Sequence, residues 1–288
     1  MYKKLKKEQK IYYTNKRTAV LYVVLRMLVI LTMVAQFLHG NYNNVFMCIL
    51  TLILFMIPVI VDHRLNIKLP SALETVILLF IFAAEILGEI QSFYTIIPYW
   101  DTMLHTINGF LMAAIGFAMI DVLNRSPKIH ISMSPIFVAF VAFCFSMTVG
   151  VVWEFFEYFM DTFVGMDMQK DWIVNGIVSA KLNPDGLNEP VVIKDITATI
   201  VHGTINGKAA EYYIDGYLDV GTIDTMKDLL VNCIGAIVFS VIGVFYLKQR
   251  DKGGVAEAFI PQLKTEEEIR HTREMIEEIR AGKKKRRK

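Results

Sequence analysis

The sequence predicts an all-α polytopic membrane protein with six transmembrane helices, and three observations support this class. Of its 288 residues, 54% are hydrophobic and only 20% are charged. The mean hydropathy of +0.43 is higher than a soluble chain of this length would have. Apolar stretches of roughly 20 residues, each long enough to cross a bilayer, account for this excess.

Each predicted span begins and ends where an apolar stretch does. The predicted spans are 18–38, 45–61, 71–90, 101–121, 134–160 and 225–247. The first span follows a basic segment, but its apolar run is too long for a signal-peptide core. No A-x-A-like cleavage site follows it, so we expect an uncleaved anchor. The remaining segments are a basic tail (1–17), a loop with a β-hairpin (161–223) before the sixth helix (224–247), and a charged tail (248–288).

Loop charge predicts the orientation of the helices. Lys and Arg lie before span one and after spans two, four and six, whereas the short loops 39–44 and 91–100 contain neither. By the positive-inside rule, both termini are then cytoplasmic. The basic positions are Lys3, Lys4, Lys6, Lys7, Lys10, Lys16, Arg17, Arg64, Lys68, Arg125, Lys128, Lys248, Arg250 and Lys252.

The segment from 161 to 223 is therefore predicted to be extracytoplasmic. Its β-branched residues at 196–201 and the Tyr212-Tyr213-Ile214 run flank Asn206-Gly207, a pattern typical of a tight hairpin. An isolated hairpin is marginally stable in water, so we expect it to pack on the outer face of the helices or on a partner.

The charge balance and the two tails indicate the partners of the chain. Lys and Arg total 30 against 28 Asp and Glu, so no nucleic-acid partner is expected. A capping-box pattern begins at Thr265 and predicts a charged helix to Arg280. The last six residues, Lys283–Lys288, are all basic and should attract anionic lipids of the inner leaflet. The three cysteines fall in apolar stretches and form no disulfide framework or Cys-based zinc motif.

Ionisable residues within spans are costly, and most of them here fall into four groups. Spacings of three and four put the members of each group on one helical face. The predicted orientation brings all four groups to the extracytoplasmic end. The groups are Glu85 with Glu89; Asp101 with His105 and Asn108; Glu154 with Glu157 and Asp161; and Asp224 with Asp228 and Asn232.

Eight carboxylates and one imidazole at one level of a bundle need protons or a bound cation, since Lys227 is the one nearby basic residue. Oxygen ligands with one nitrogen suit Mg²⁺, Mn²⁺, Ca²⁺ or Fe²⁺, and suit Zn²⁺ less. The expected metal ligands are Asp101, His105, Glu154, Glu157, Asp224 and Asp228. Glu157 and Asp161 are candidate catalytic carboxylates, and Glu85, Glu89, Asn108 and Asn232 would support the ligands.

A structural alternative applies to part of this set. Outer-end carboxylates can lie in the headgroup layer, and Asp101 or Asp224 can cap a helix or interact with its dipole. Capping does not explain His105, Asp228 or Glu154, which lie further inside their helices. Arg26 and Glu74 lie near the opposite membrane face, where snorkelling or mutual pairing explains them.

The same residues resemble the YjdF-like family of bacterial inner-membrane proteins. The likeness covers about 97–245 and depends on four short motifs. They are D-x-x-x-H-x-x-x-G-F at Asp101–Phe110, E-x-x-E at Glu154–Glu157, DT-x-x-D at Asp224–Asp228, and N-x-x-GA at Asn232–Ala236. Met168-Gln169-Lys170-Asp171 is similar to the family's Q-G-D stretch, with Lys170 in place of glycine. Some 50 residues then intervene here that the family lacks. The resemblance implies a multi-pass protein of the bacterial inner membrane and implies no particular reaction.

Three functions remain open at this point. The first is a membrane-embedded, metal-dependent enzyme acting on a lipid or lipid-linked substrate, with a carboxylate as general base to a metal-bound water. The second is a transporter of protons or divalent cations, although spans four to six become apolar towards the cytoplasm. The third is a structural or assembly protein whose hairpin makes the functional contact.

Overall fold

A computed structural model describes residues 16–64, 67–125, 133–248 and 262–270, together with 274 and 277. Within these residues, six helices are long and apolar enough to cross a membrane, which confirms the predicted number of spans. The chain is therefore a multi-pass membrane protein. The spans are Lys16–Leu38, Tyr42–Asp62, Ser71–Ile90, Trp100–Asp121, Pro135–Val164 and Thr222–Lys248.

The first two spans comprise three helices, because the second span is interrupted. Helix α1 is Lys16–Leu38, α2 is Tyr42–Leu54 and α3 is Ile57–Arg64. The break follows from Pro58, which has no N–H to donate to the Leu54 carbonyl and whose ring crowds that carbonyl. Hydropathy alone predicted one continuous helix here, since a break of two residues leaves the apolar run intact.

The third span changes helix type near its end. Helix α4, Ser71–Phe82, continues as a π-helical segment, Ala83–Ile90, and a short helix α5, Phe93–Ile96, follows. The Gln91 N–H donates to the Ile86 carbonyl 3.0 Å away, the five-residue spacing of a π-helix. Both Glu85 and Glu89 lie in this widened segment, which the sequence did not predict.

The remaining spans are long helices. Helix α6 is Trp100–Arg125, and α7, Pro135–Phe159, continues as a π-helical segment, Met160–Val164. The fifth span thus ends four residues later than predicted. It stops at Gly165, whose φ of +76° is the left-handed conformation that commonly terminates helices. Helix α8 is Thr222–Lys248.

Short antiparallel strands lie between 172 and 219. They are β2 (Trp172–Val174) paired with β7 (Tyr217–Asp219), β3 (Ile177–Ser179) with β4 (Val191–Ile193), and β5 (Thr199–Ile205) with β6 (Lys208–Ile214). A two-residue turn, Asn206-Gly207, joins β5 to β6, and both residues have positive φ, as type I′ turns require. The extracytoplasmic location of these strands stays a prediction.

By packing, the chain divides into two compact units, one of residues 1–150 with 230–288 and one of residues 151–229. Helices α7 and α8 are continuous through the boundaries. In the first unit, α1 packs on α2 and α4, around a core that includes Cys48, Phe55 and Leu73. A second cluster joins Phe117 and Phe239 with small residues of α6, α7 and α8. Cys48 is thus a small buried hydrophobe.

Apolar side chains also cover much of the helix surface. In α1, Val20, Met27, Leu31 and Leu38 are each more than half exposed. They recur at spacings close to the helical period, so one side of α1 is continuously apolar. A surface of this kind is suited to lipid rather than water.

The C-terminal segment pairs with the loop between α3 and α4. Strand β1, Ile67–Lys68, is antiparallel to β8, Gln262–Leu263. The capping box predicted at Thr265 is confirmed: its hydroxyl accepts the Glu268 N–H, and the Glu268 carboxylate accepts the Thr265 N–H at 2.9 Å. Several predicted features lie outside the described residues. They are the N-terminal tail to residue 15, Lys128, Arg250, Lys252, the predicted helix after residue 270 except 274 and 277, and Lys283–Lys288.

Candidate functional site

Asp101 and His105 form the first part of the candidate site. They lie one turn apart at the start of α6, with the His105 Nε2 atom 3.4 Å from an Asp101 oxygen. His105 is only 8% exposed. A carboxylate beside one ring nitrogen favours a proton on that nitrogen and fixes the orientation of the ring.

One helical turn further along α6, polar side chains connect to α8. The Asn108 amide donates to the side-chain oxygen of Asn232 at 3.0 Å, and Asn232 is fully buried. The Ser146 hydroxyl of α7 donates to the Gly109 carbonyl at 2.8 Å. Such bonds inside an apolar bundle fix how the helices are aligned, because each unsatisfied group would be costly.

Glycines permit this close approach. A Cβ atom at Gly109 would overlap the Asn232 carbonyl oxygen, and one at Gly235 would overlap the Thr106 carbonyl oxygen. At Gly150 of α7, a Cβ would come 2.9 Å from the Asn232 amide nitrogen. Gly109 and Gly235 belong to the family motifs seen in the sequence. Ser146 and Gly150 were not predicted, and their small size is the one feature that could have indicated them.

Contacts along α6 and α8 show that the two helices run in the same direction. Phe110 meets Phe239 with ring centroids 5.1 Å apart, and further along Phe117 meets Tyr246 at 6.4 Å. Residues that precede Asn108 and Asn232 therefore lie at the same end of the pair. Asp228, one turn before Asn232 in α8, is 3% exposed.

The predicted ligands Asp101, His105 and Asp228 differ in burial. Asp101 is partly exposed, whereas His105 and Asp228 are buried. Two carboxylates and an imidazole are a donor set suited to Mn²⁺ or Fe²⁺, and to Mg²⁺ or Ca²⁺ with further oxygen ligands.

Glu85 and Glu89 lie in the π-helical segment of the third span. Glu85 is 3% exposed, and among the described residues its Oε2 atom has no hydrogen-bond partner. A buried carboxyl oxygen without a donor is costly unless a proton, a water or a cation satisfies it. Glu89 is only partly buried.

Glu154 and Glu157 are both buried near the end of α7, at 4% and 7% exposure. The indole N–H of Trp153 donates to a Glu157 oxygen at 2.8 Å. Glu154 follows Gly150 by one turn on the same helical face. The two glutamates, one turn apart, thus have different surroundings, a difference that spacing alone did not predict.

Asp161 and Asp224 bind the backbone of one loop. Both oxygens of Asp161 accept N–H groups, from Met168 at 2.6 Å and Gln169 at 2.8 Å. An Asp224 oxygen accepts the Lys170 N–H at 2.7 Å. The stretch singled out by its resemblance to Q-G-D is therefore the segment that these two helix ends hold. Both carboxylates organise the loop, whatever further contacts they make.

Two basic side chains of this region have defined contacts. The Lys227 ammonium lies over the Trp172 ring, 3.7 Å from its centroid, and the Lys170 ammonium donates to the Asp167 carbonyl. A cavity of about 270 Å³ adjoins the loop, lined by Tyr158, Asp161, Thr162, Met166, Asp167, Gln169, Asp171, Val220 and Gly221. Partial burial, followed by repulsion from Asp167, raises the pKa of Asp171 above its ordinary value. A hydrogen bond from the Gly221 N–H acts in the opposite direction and lowers this pKa.

The comparisons with known proteins identify a family. A family model described as "Predicted membrane protein (DUF2238)" matches residues 20–249, which extend from the second turn of the first span to the end of the sixth and include every residue of the candidate site. No curated protein and no solved structure matches the chain. Because the match covers well over half of the sequence, the chain belongs to the DUF2238 family of predicted membrane proteins.

Proposed function

We propose that the protein is a metal-dependent membrane enzyme that acts on a lipid or lipid-linked substrate. The observation that supports this proposal is the Asp101–His105 pair of α6, in which a carboxylate oxygen lies 3.4 Å from a ring nitrogen of a buried histidine. A divalent cation bound by this pair and by Asp228 would neutralise two carboxylates and polarise a bound water or a substrate oxygen. Glu154, Glu157 and Asp224 are proposed as additional ligands, with Glu157 or Asp161 as the general base.

The surroundings of the group support hydrolytic or transfer chemistry close to the bilayer. The donors lie near the start of α6 and in the second turn of α8, where a lipid headgroup can reach them. The nearest basic side chain on α8, Lys227, is directed to Trp172. The metal would therefore have to supply the positive charge that an anionic leaving group needs.

The predicted topology completes the proposal. We propose that both termini face the cytoplasm of a bacterial cell, that the 161–223 segment and the metal site face outwards, and that Lys283–Lys288 bind anionic inner-leaflet lipids. The substrate would then enter from the outer leaflet.

The test of the metal site is the thermal stability of the purified protein. A ligand that binds only the folded state stabilises it by about 2.7 kcal/mol at a hundredfold excess over its dissociation constant. A chelator should therefore lower the unfolding midpoint, and one of Mn²⁺, Fe²⁺, Mg²⁺ or Ca²⁺ should restore it. The restoring effect should weaken as the pH falls, because the ligands must be deprotonated to bind.

Variants separate this site from general metal effects. His105→Ala, Asp228→Asn and Glu154→Gln should abolish the response to metal, whereas Glu74→Gln, on a different span and near the opposite membrane face in the predicted topology, should keep it. An unchanged midpoint with chelator and with every metal would contradict the proposal. With the metal identified, release of headgroups from lipid vesicles is the assay for catalysis.

A second candidate function is the transport of protons or divalent cations. The observation that favours it is a pair of buried carboxylates on the third and fourth spans, Glu74 at 6% and Asp121 at 5% exposure. They lie towards the opposite helix ends from Glu85 and Asp101, and Asp121 adds a carboxylate to the half of the fourth span that was predicted to be apolar. Uptake of Mn²⁺ into proteoliposomes, lost in Asp121→Asn, would favour transport over hydrolysis.

A further inference from the structure

A largely buried ion pair attaches the C-terminal segment to the helix bundle. The Lys264 ammonium lies 2.6 Å from an Asp62 carboxylate oxygen, and the two side chains are only 9% and 19% exposed. Asp62 belongs to α3, and Lys264 directly follows β8. Burying a lysine costs free energy unless a carboxylate accepts its hydrogen bonds, so this pair is specific rather than incidental.

A buried carboxyl group lies near this ion pair. Glu74 is in the first turn of α4, is 6% exposed, and is close enough to Asp62 for their charges to repel. By contacting Asp62, Lys264 brings a positive charge to a part of the bundle that holds two carboxyl groups.

The other contacts of the C-terminal segment are weaker. Strands β1 and β8 are two residues long, too short to hold a sheet by themselves. The Lys68–Glu268 ion pair, at 2.8 Å, has side chains 40% and 39% exposed, and such pairs contribute little in water. The hydrogen bond from Lys68, followed by the Thr265 N–H, lowers the pKa of Glu268, which therefore stays ionised at neutral pH.

We propose that Asp62 forms a binding site for a primary ammonium group, and that the C-terminal segment docks reversibly by placing Lys264 in it. Docking is then controlled by this one largely buried charge rather than by the strand pairing. Release of the segment exposes the Asp62 carboxylate, and a small ammonium ion can take the place of Lys264. This site is independent of the proposed metal centre.

Cross-linking measures the docking directly. Ile67 and Leu263 are cross-strand partners, so their Cα atoms are about 4.5–5.5 Å apart, within the range that a disulfide spans. The variant Ile67→Cys/Leu263→Cys is made with Cys48, Cys144 and Cys233 replaced by alanine. Its disulfide should form readily on oxidation of the otherwise unchanged chain. Adding Lys264→Met should slow formation by about tenfold or more, because a buried pair loses one partner.

Two further variants separate the buried charge from surface electrostatics. Lys68→Met breaks the exposed ion pair and should change the rate by less than about threefold. The exchange Asp62→Lys with Lys264→Asp should restore much of the rate lost in Lys264→Met. Equal rates for Lys264→Met and the unchanged background, or a larger effect of Lys68→Met, would overturn the proposal.

The ammonium site is tested by chemical rescue. Lys264→Ala leaves space for the missing side chain, so propylammonium chloride should raise the thermal midpoint of this variant. Tetramethylammonium chloride at the same concentration has no N–H donor and should have no such effect. The rise should also be absent in Lys264→Ala/Asp62→Asn. Equal effects of the two salts would show that no ammonium site exists.

Discussion

Replacing Gly109 with alanine should force α6 and α8 apart at their closest approach. The added Cβ would overlap the Asn232 carbonyl oxygen and lie 2.8 Å from the carbonyl carbon. Both atoms belong to the backbone of α8 and cannot rotate away as a side chain could. The helices must therefore separate, and the hydrogen bond between Asn108 and Asn232 must lengthen or break.

The size of the effect follows from three terms. Overpacking a well-packed interior costs about 1–3 kcal/mol. Alanine gains about 1 kcal/mol over glycine in a helix, and loss of the Asn108–Asn232 hydrogen bond, at about 1 kcal/mol, offsets that gain. We expect a net loss of about 1–3 kcal/mol. Each kcal/mol lowers the midpoint by about 2–4 °C for domains of 150–250 residues.

Thermal unfolding in detergent is the assay, and Gly203→Ala is the matched control. Gly203 lies in β5 without a positive φ, and a Cβ added there would meet no atom within 4 Å. Its replacement should therefore change the free energy of unfolding by less than about 0.5 kcal/mol. Gly235→Ala, at the same approach of the two helices, should lower the free energy of unfolding by a similar amount. The double variant should lose less stability than the two single variants added together. A thermal midpoint of Gly109→Ala equal to or above that of the unchanged protein would refute this prediction.

Two other predictions concern the loop segment and the topology. The pKa of Asp171 is raised, so its ionised form costs stability once the pH rises through that pKa. Asp171→Asn should therefore raise the free energy of unfolding at neutral pH, by no more than about 0.5 kcal/mol because the side chain is largely exposed. The gain, seen as a higher thermal midpoint, should vanish near pH 4. Asp185→Asn is the control, and a gain independent of pH would contradict the assignment. Cysteines at Asn43 and Asn206 should react with an impermeant thiol reagent in intact cells while one at Asn66 should not, and the opposite pattern would reverse the predicted orientation.

The spans were predictable because bilayer thickness imposes a length on any apolar helix, whatever its neighbours. Interruptions within a span were not predicted. Pro58 indicates the break between α2 and α3. The break was not predicted, because the residues around it are apolar and the hydropathy of the span does not change there. The π-helical segment Ala83–Ile90 has no comparable local cause in composition, since it depends on how the third span packs.

Spacing predicted that Asp101 and His105 share a helical face, because residues four apart in a helix are neighbours. It did not predict that Asp161 and Asp224 hold the loop at 168–170, since this contact depends on the path of the chain after Gly165. The Lys264–Asp62 pair, 202 residues apart in sequence, has no local pattern that could have indicated it.

The two proposals assign different cations to carboxylates at different places in the chain. Asp62 contacts the Lys264 ammonium in the folded protein. The Lys227 ammonium, next to Asp228 in sequence, lies over the Trp172 ring, and we propose that a metal ion held with His105 compensates Asp101 and Asp228. A carboxylate removed from water must be neutralised in either case. The proposed metal site should therefore respond to metal ions, whereas the Asp62 site should respond to ammonium.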